Sequence, residues 1–226
     1  MFFDPMYFVF VAPAVLLALW AQMRVRSTYA QASQIPAPLS GAAAARHILD
    51  SAGLHSVEIE QVPGHLTDHY DPRHKVLRLS SENYQGRSVA AVGIAAHESG
   101  HAIQDAHAYA PLVVRNAVVP VASFGSGAGM LLIIAGALLH AFLLIKLGII
   151  LFGVVVFFQL VNLPVEFNAS SRAKQQLVGL GILDGEQMMY VNKVLGAAAW
   201  TYVAATLEAV LVLAYYIFRF TGNSRN

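Results

Sequence analysis

The 226-residue sequence contains no cysteine, and only 12% of its residues are charged. Without cysteine there are no disulfide bonds, no thiolate nucleophile and no thiolate metal site, so histidine and carboxylate side chains are the available metal ligands. Ordinary soluble domains carry about 25% charged residues, so the low charge argues against a soluble protein. The net charge of +1 comes without a basic cluster, and we expect no nucleic-acid partner.

Long apolar runs occupy much of the chain, and hydrophobic residues make up 57% of it. A membrane-spanning helix needs about 20 predominantly apolar residues. The runs predict four such helices, one within residues 1–23, two in a hairpin over 116–163 with its turn near 140–146, and one over 195–218. The intervening loops are residues 24–115 and 164–194, and residues 219–226 form a tail.

Basic residues near the ends of the apolar runs predict the orientation in the membrane, because cytoplasmic loops carry an excess of Lys and Arg. The side with the two loops has Arg24, Arg26, Arg115, Arg172, Lys174 and Lys193, and the opposite side has Lys146, Arg219 and Arg225. We therefore expect both loops to face the cytoplasm. A cleaved signal peptide is the alternative for the first run, but its basic residues would precede the run, whereas Arg24 and Arg26 follow it.

The first loop has the pattern of a small α+β domain. A helix is predicted over residues 41–52 with Ser40 as its N-cap, followed by strands over 57–62 and 76–79 and a second helix over 89–106. In the second loop, Asp184 and Gln187 form a capping-box pattern that begins another helix. The fold class is therefore a mainly α membrane protein with four transmembrane helices and a small α+β extramembrane domain.

The predicted helix over 89–106 carries an H-E-x-x-H motif formed by His97, Glu98 and His101. Residues four apart on a helix are turned by only about 40° from each other, so both imidazoles can reach one metal ion. Glu98 lies elsewhere around the helix and is suited to act on a water molecule as a general base. The motif predicts a zinc-dependent metallopeptidase.

A catalytic zinc site uses three protein ligands, and two residues compete for the third position. His107 has the spacing of the metzincin pattern, but Gln104 stands where that pattern has a glycine that turns the chain back towards the metal. Glu166 lies where the third apolar run enters the second loop, on the same predicted side of the membrane as the motif. The residues alone leave both candidates open.

Four blocks of the sequence resemble the YugP-like bacterial membrane zinc metallopeptidases, namely residues 66–73, 76–80, 88–104 and 163–170. The resemblance extends over essentially the whole chain. It implies a zincin-like domain that binds Zn²⁺ through His97, His101 and Glu166, with Glu98 as general base, and that hydrolyses peptide bonds beside the membrane. The related integral-membrane gluzincins carry an acidic residue four positions after the glutamate ligand, where this chain has Ser170.

Three further features each have two interpretations. Gluzincin sites use a His or Tyr donor for the oxyanion, so His69 or Tyr70 is a candidate catalytic residue, unless this segment is only a turn at Asp71. The strand over 76–79 is either an edge strand that pairs with an extended substrate or a strand that closes the sheet. Arg172 either pairs with a carboxylate of the site or binds lipid headgroups.

These observations predict a zinc-dependent endopeptidase in the bacterial cell membrane whose active site faces the cytoplasm. Its expected partners are the lipid bilayer and a polypeptide substrate that is membrane-associated or unfolded. The alternative is a zinc-binding membrane scaffold or chaperone without catalytic turnover. The presence of Glu98, which a binding-only protein does not need, favours the enzyme. No feature of the sequence indicates an oligomeric state.

Overall fold

The computed structural model describes residues 4–221. The helices are α1 (Pro5–Ser33), α2 (Gly41–Ser51), α3 (Ser81–Gln85), α4 (Val89–Ala106), α5 (Ala110–Leu138), α6 (Phe142–Gly179) and α7 (Gly185–Thr221). The strands are β1 (Glu58–Val62), β2 (His69–Asp71) and β3 (Val76–Ser80). Among the described residues, α1, α5, α6 and α7 are long and apolar enough to cross a membrane, which confirms the predicted fold class.

The long helices extend well beyond the apolar runs. Helix α6 has 38 residues, and at about 1.5 Å per residue it is roughly 57 Å long, against about 30 Å for the hydrocarbon core of a bilayer. The turn between α5 and α6 is centred on His140, which has a positive φ of 55°. The predicted turn was too long, because the helix resumes at Phe142 and Lys146 lies inside α6.

The chain divides into two compact units. The membrane unit comprises the segments up to Trp20, Val113–Leu163 and from Thr201 onward, and the α+β unit comprises Ala21–Leu112 and Pro164–Trp200. In the membrane unit, a Cβ added at Gly148 would lie 2.6 Å from the carbonyl oxygen of Gly129, so these two glycines allow close packing of α5 and α6. A buried cluster joins α1, α6 and α7, and its members are Val11, Phe152, Val156, Ala209 and Val212.

The α+β unit contains a three-stranded sheet in the order β1-β3-β2. Strand β3 pairs in parallel with β1 and antiparallel with β2, so that Leu77 lies opposite both Ile59 and Tyr70. The interpretation of residues 76–79 as an edge strand is therefore wrong, because both edges of β3 are occupied. The buried side chains of β3 explain why it lies in the middle of the sheet. Strand β2 is at an edge instead.

Helix α4 lies in the core of the α+β unit. Its N-terminus is capped by Ser88, whose hydroxyl accepts a hydrogen bond from the backbone N–H of Ala91. Apolar residues of α4 pack in one buried cluster with residues of α2, α6 and α7, among them Ile48, Val92, Ile103, Leu177 and Val191. This packing makes α4 a rigid support for the polar side chains that it carries.

The predicted helix ends of the α+β unit are also confirmed. The Ser40 hydroxyl accepts from the N–H of Ala43 at 3.2 Å, and Gly53 ends the α2 region with a φ of +74°. The Asp184 N–H donates to Gln187 Oε1 at 3.0 Å, while the Gln187 N–H donates to Asp184 Oδ1 at 2.8 Å. These reciprocal bonds form the capping box that the sequence predicted at the start of α7.

Candidate metal centre

Helix α4 presents His97 and His101 on one face, one helical turn apart, with ring centroids separated by 4.9 Å. Helix α6 packs directly against this face because position 100 has no side chain. A Cβ added at Gly100 would lie only 2.6 Å from the carbonyl oxygen of Ala169. The close approach of the two helices brings Glu166 of α6 to the two histidines.

The side chains of His97, His101 and Glu166 form a compact cluster in which the potential ligand atoms all lie within 4.8 Å of one another. Glu166 Oε2 is 3.2 Å from His97 Nε2 and 3.5 Å from His101 Nε2. Two ligand atoms that each lie about 2.0–2.1 Å from a tetrahedral zinc ion are about 3.3–3.4 Å apart. The spacing and the donor atoms, two imidazole nitrogens and a carboxylate oxygen, therefore fit zinc.

Each histidine of the cluster has a polar partner at its other ring nitrogen. His97 Nδ1 lies 3.1 Å from the Ser170 hydroxyl, and His101 Nδ1 lies 3.0 Å from Gln104 Oε1. Ser170, four positions after Glu166, thus contacts the histidine although it is not acidic. Partners of this kind orient the rings of metal-binding histidines.

Glu98 is buried beside the cluster without belonging to it, with 8% of its surface exposed. Burial raises the pKa of Glu98 to about 7, because the charged form loses its hydration. The electrostatic interaction with His97 opposes this rise, and the interactions with the carboxyl groups of Glu166 and Asp68 add to it. A carboxyl group with a pKa near neutrality is suited to take up and release a proton.

His69 and Tyr70, the candidate oxyanion donors, lie in β2 and have other partners. The Tyr70 hydroxyl donates to Asp105 Oδ2 at 2.7 Å, and burial together with this carboxylate raises the pKa of Tyr70. His69 is exposed, and its Nδ1 lies 2.8 Å from the carbonyl oxygen of Thr67. The backbone amide of Tyr70, however, is among the groups that lower the pKa of Glu98, so β2 borders the cluster.

His107, the competing candidate for third ligand, lies away from the cluster. It caps the C-terminus of α4, and its Nδ1 donates to the carbonyl oxygen of Ile103 at 2.7 Å. Six residues of uninterrupted helix rotate His107 by about 120° from His101. Within residues 4–221, the structure thus brings Glu166 and not His107 to the two histidines.

Sequence reasoning missed two residues that shape this cluster. Gly100 stands inside the motif, but its role depends on the approach of α6, which no local pattern reveals. Gln104 was noted only as the residue that replaces a glycine, although its spacing of three from His101 places it on the same face of the helix. That spacing was the one available signal.

Comparison with known proteins agrees with this geometry. A family model described as "Putative neutral zinc metallopeptidase" matches residues 7–221. The chain is 49% identical over 225 residues to the "Putative membrane protease YugP" of Bacillus subtilis (strain 168), and the match covers 98% of this chain and 100% of that protein. No solved structure matches the chain significantly. The chain therefore belongs to the family described as putative neutral zinc metallopeptidases.

Proposed function

We propose that this chain is a zinc-dependent endopeptidase that hydrolyses peptide bonds of membrane-associated or unfolded polypeptides. The observation that carries the proposal is the cluster of His97, His101 and Glu166, with the buried carboxyl group of Glu98 beside it. These three residues are the ligands that we assign to zinc. The similarity to a membrane protease over nearly the whole chain supports a proteolytic role.

In this proposal His97, His101 and Glu166 bind the zinc ion, and Glu98 transfers the proton. A bound zinc ion supplies a Lewis acid that polarises the scissile carbonyl group and lowers the pKa of water. The Glu98 carboxylate takes a proton from the attacking water molecule and then delivers it to the nitrogen of the leaving amine. Burial keeps bulk water away from this carboxyl group, so its proton goes to the reacting atoms.

The free edge of β2 is the surface that we assign to the substrate. A strand at the edge of a sheet can pair with an extended polypeptide through main-chain hydrogen bonds. Strand β2 pairs only with β3 in the described sheet, and the backbone amide of its Tyr70 is close enough to Glu98 to lower the pKa of that carboxyl group. An extended substrate paired with β2 would therefore pass close to the general base, which favours unfolded segments over folded domains.

Metal content and cleavage test the proposal together. Purified in detergent, the protein is expected to retain near-stoichiometric zinc and to cleave an unfolded polypeptide, and a zinc chelator should stop cleavage until zinc is restored. Glu166→Gln should lose the zinc, because a neutral amide is a poor ligand, whereas the matched variant His107→Ala should keep it. Zinc retained by the first variant and lost from the second would reverse the ligand assignment. Cleavage by metal-free protein would refute the function.

We assign the oxyanion donor to His69 and not to Tyr70, because the Tyr70 hydroxyl already gives its proton to Asp105. His69 uses Nδ1–H for the carbonyl of Thr67, which leaves Nε2 as the ring atom that faces away from this bond and is available to a substrate. His69→Ala should lower kcat about 10²-fold without loss of zinc, as expected for the removal of one oxyanion donor. Steady-state kinetics on His69→Ala and Tyr70→Phe would check this, and a larger loss in the tyrosine variant would contradict it.

We also propose that the α+β unit faces the cytoplasm of the bacterial cell membrane. The excess of Lys and Arg near the ends of the two loops supports this orientation. A C-terminal fusion to a reporter that is active only outside the cytoplasm should be active, and a fusion to a reporter that needs the cytoplasm should be inactive. The opposite pair of results would reverse the orientation.

A further inference from the structure

We propose that Gln104 is a positioning residue that holds His101 in a single tautomer, with the lone pair of Nε2 available to the proposed metal site. This inference rests on the proposed metal site and extends it to residues outside the ligand set. It follows from a series of hydrogen bonds between Arg172 and His101. Some groups in this series can only donate and others can only accept, and together they determine which atom of each bond carries the hydrogen.

The series begins at Arg172 of α6. A guanidinium group has donors and no acceptor, and Arg172 Nε lies 2.7 Å from Asn168 Oδ1. Asn168 must therefore present its oxygen at this point. The same oxygen lies 3.0 Å from Gln104 Nε2, so the amide group of Gln104 donates to it.

The backbone of α6 also determines the orientation of the Gln104 amide group. Gln104 Nε2 lies 2.8 Å from the carbonyl oxygen of Val165, and a carbonyl oxygen can only accept. Both hydrogens of the Gln104 amide are thus used, and Gln104 Oε1 is left facing His101 Nδ1 at 3.0 Å. An oxygen acceptor requires a donor opposite it, so His101 Nδ1 carries the hydrogen.

The consequence for His101 is direct. A neutral imidazole with its hydrogen on Nδ1 has its lone pair on Nε2, the atom that lies 3.5 Å from Glu166 Oε2. His101 is thereby prepared to bind a metal without exchange of its proton between the two nitrogens. Gln104 is completely buried, so water does not compete for these hydrogen bonds.

The other histidine offers a built-in comparison. His97 Nδ1 contacts the Ser170 hydroxyl, and a hydroxyl group can donate or accept. The partner of His97 therefore does not dictate its tautomer as Gln104 dictates that of His101. Gln104 has a further role, because it joins α4 to the backbone of α6 at Val165, immediately before Glu166.

The test is the tautomer of His101 in metal-free protein, read from the ¹⁵N chemical shifts of labelled histidine at a pH at which the ring is neutral. Wild-type protein should show His101 only as the Nδ1–H form, because Gln104 Oε1 lies 3.0 Å from Nδ1 whereas the competing acceptor, Glu166 Oε2, lies 3.5 Å from Nε2. Gln104→Met preserves the approximate volume and removes the acceptor, so it should give a mixture of tautomers. Gln104→Glu keeps an acceptor for His101 and removes the donors to α6, so it should restore the Nδ1–H form.

Zinc affinity, measured by competition with a chelator, provides a second readout. Loss of such a partner typically weakens metal binding about 10- to 100-fold, and we expect a decrease of this size in Gln104→Met. The matched control is Gln176→Met, the same substitution at a partly exposed position of α6, which should bind zinc as wild type does.

Several results would overturn the inference. One is a wild-type His101 in the Nε2–H form or in a mixture, which requires no variant and so does not depend on how Gln104→Met folds. Another is the same His101 tautomer in wild type and in Gln104→Met. A third is the same change of tautomer in Gln104→Met and Gln104→Glu, which would indicate a purely structural role for Gln104. Because the spectra are recorded without metal, they are independent of whether the protein cleaves polypeptides.

Discussion

Glu98→Gln is expected to reduce cleavage by about 10³-fold while zinc remains bound. The proposed mechanism uses this carboxyl group twice, to take a proton from water and to return it to the leaving amine, and proton transfer by one positioned group contributes typically about 10²–10⁴-fold. Glutamine has nearly the same shape and cannot accept the proton. Glu98 is not among the three clustered side chains, so its replacement leaves the ligand set intact.

The measurement is kcat on an unfolded polypeptide, with zinc content determined on the same samples. Glu186→Gln is the matched control, because Glu186 is exposed in the first turn of α7 and the substitution makes the same change of charge. It should leave both cleavage and zinc unchanged. If Glu98→Gln cleaves as fast as wild type, the general base is misassigned. If wild-type protein holds zinc and cleaves no polypeptide, the scaffold interpretation replaces the enzyme.

Gly100→Ala is expected to weaken zinc binding on the order of 10²-fold although it changes no ligand. The added Cβ would lie 2.6 Å from the Ala169 carbonyl oxygen, and a backbone atom cannot move aside as the end of a flexible side chain can. The helices must separate, which carries Glu166 away from the two histidines. A metal site tolerates displacements of only about 0.5 Å, so a small separation has a large effect.

Gly93→Ala is the matched control for this prediction, because it makes the same substitution in the same helix. A Cβ at Gly93 would meet the Val191 side chain at 3.5 Å, an ordinary van der Waals contact. Alanine is also favoured over glycine inside a helix by about 1 kcal/mol, so this variant should bind zinc normally and unfold no more easily than wild type. Chelator competition and thermal unfolding measure both effects, and normal zinc affinity in Gly100→Ala would contradict the proposed packing.

The features that the sequence predicted well depend on local patterns. The spanning helices follow from uninterrupted apolar runs, and the cap at Ser40 follows from one hydroxyl before a helix. His97 and His101 share a face because they are four residues apart on one helix. Each of these conclusions requires only neighbouring residues, so no knowledge of the folded chain was needed.

The features that the sequence did not predict depend on contacts between distant segments. Strand β3 lies in the middle of the sheet because β1, 18 residues earlier in the chain, pairs with it in parallel. Glu166 meets His97 across a separation of 69 residues, and local spacing therefore could not choose between it and His107. The hydrogen bond from Gln104 to α6 likewise can form only after α6 has packed against α4.

The division of the α+β unit into two segments has a consequence for protein synthesis. The segment with His97 and His101 leaves the ribosome first, and the membrane segment Val113–Leu163 must follow before Glu166 is made. A nascent chain therefore carries His97 and His101 without Glu166 until the second and third spans have been translated. The cluster of His97, His101 and Glu166 is therefore completed only when α6 has been translated, and a chain that stops before α6 lacks the carboxylate of the proposed site.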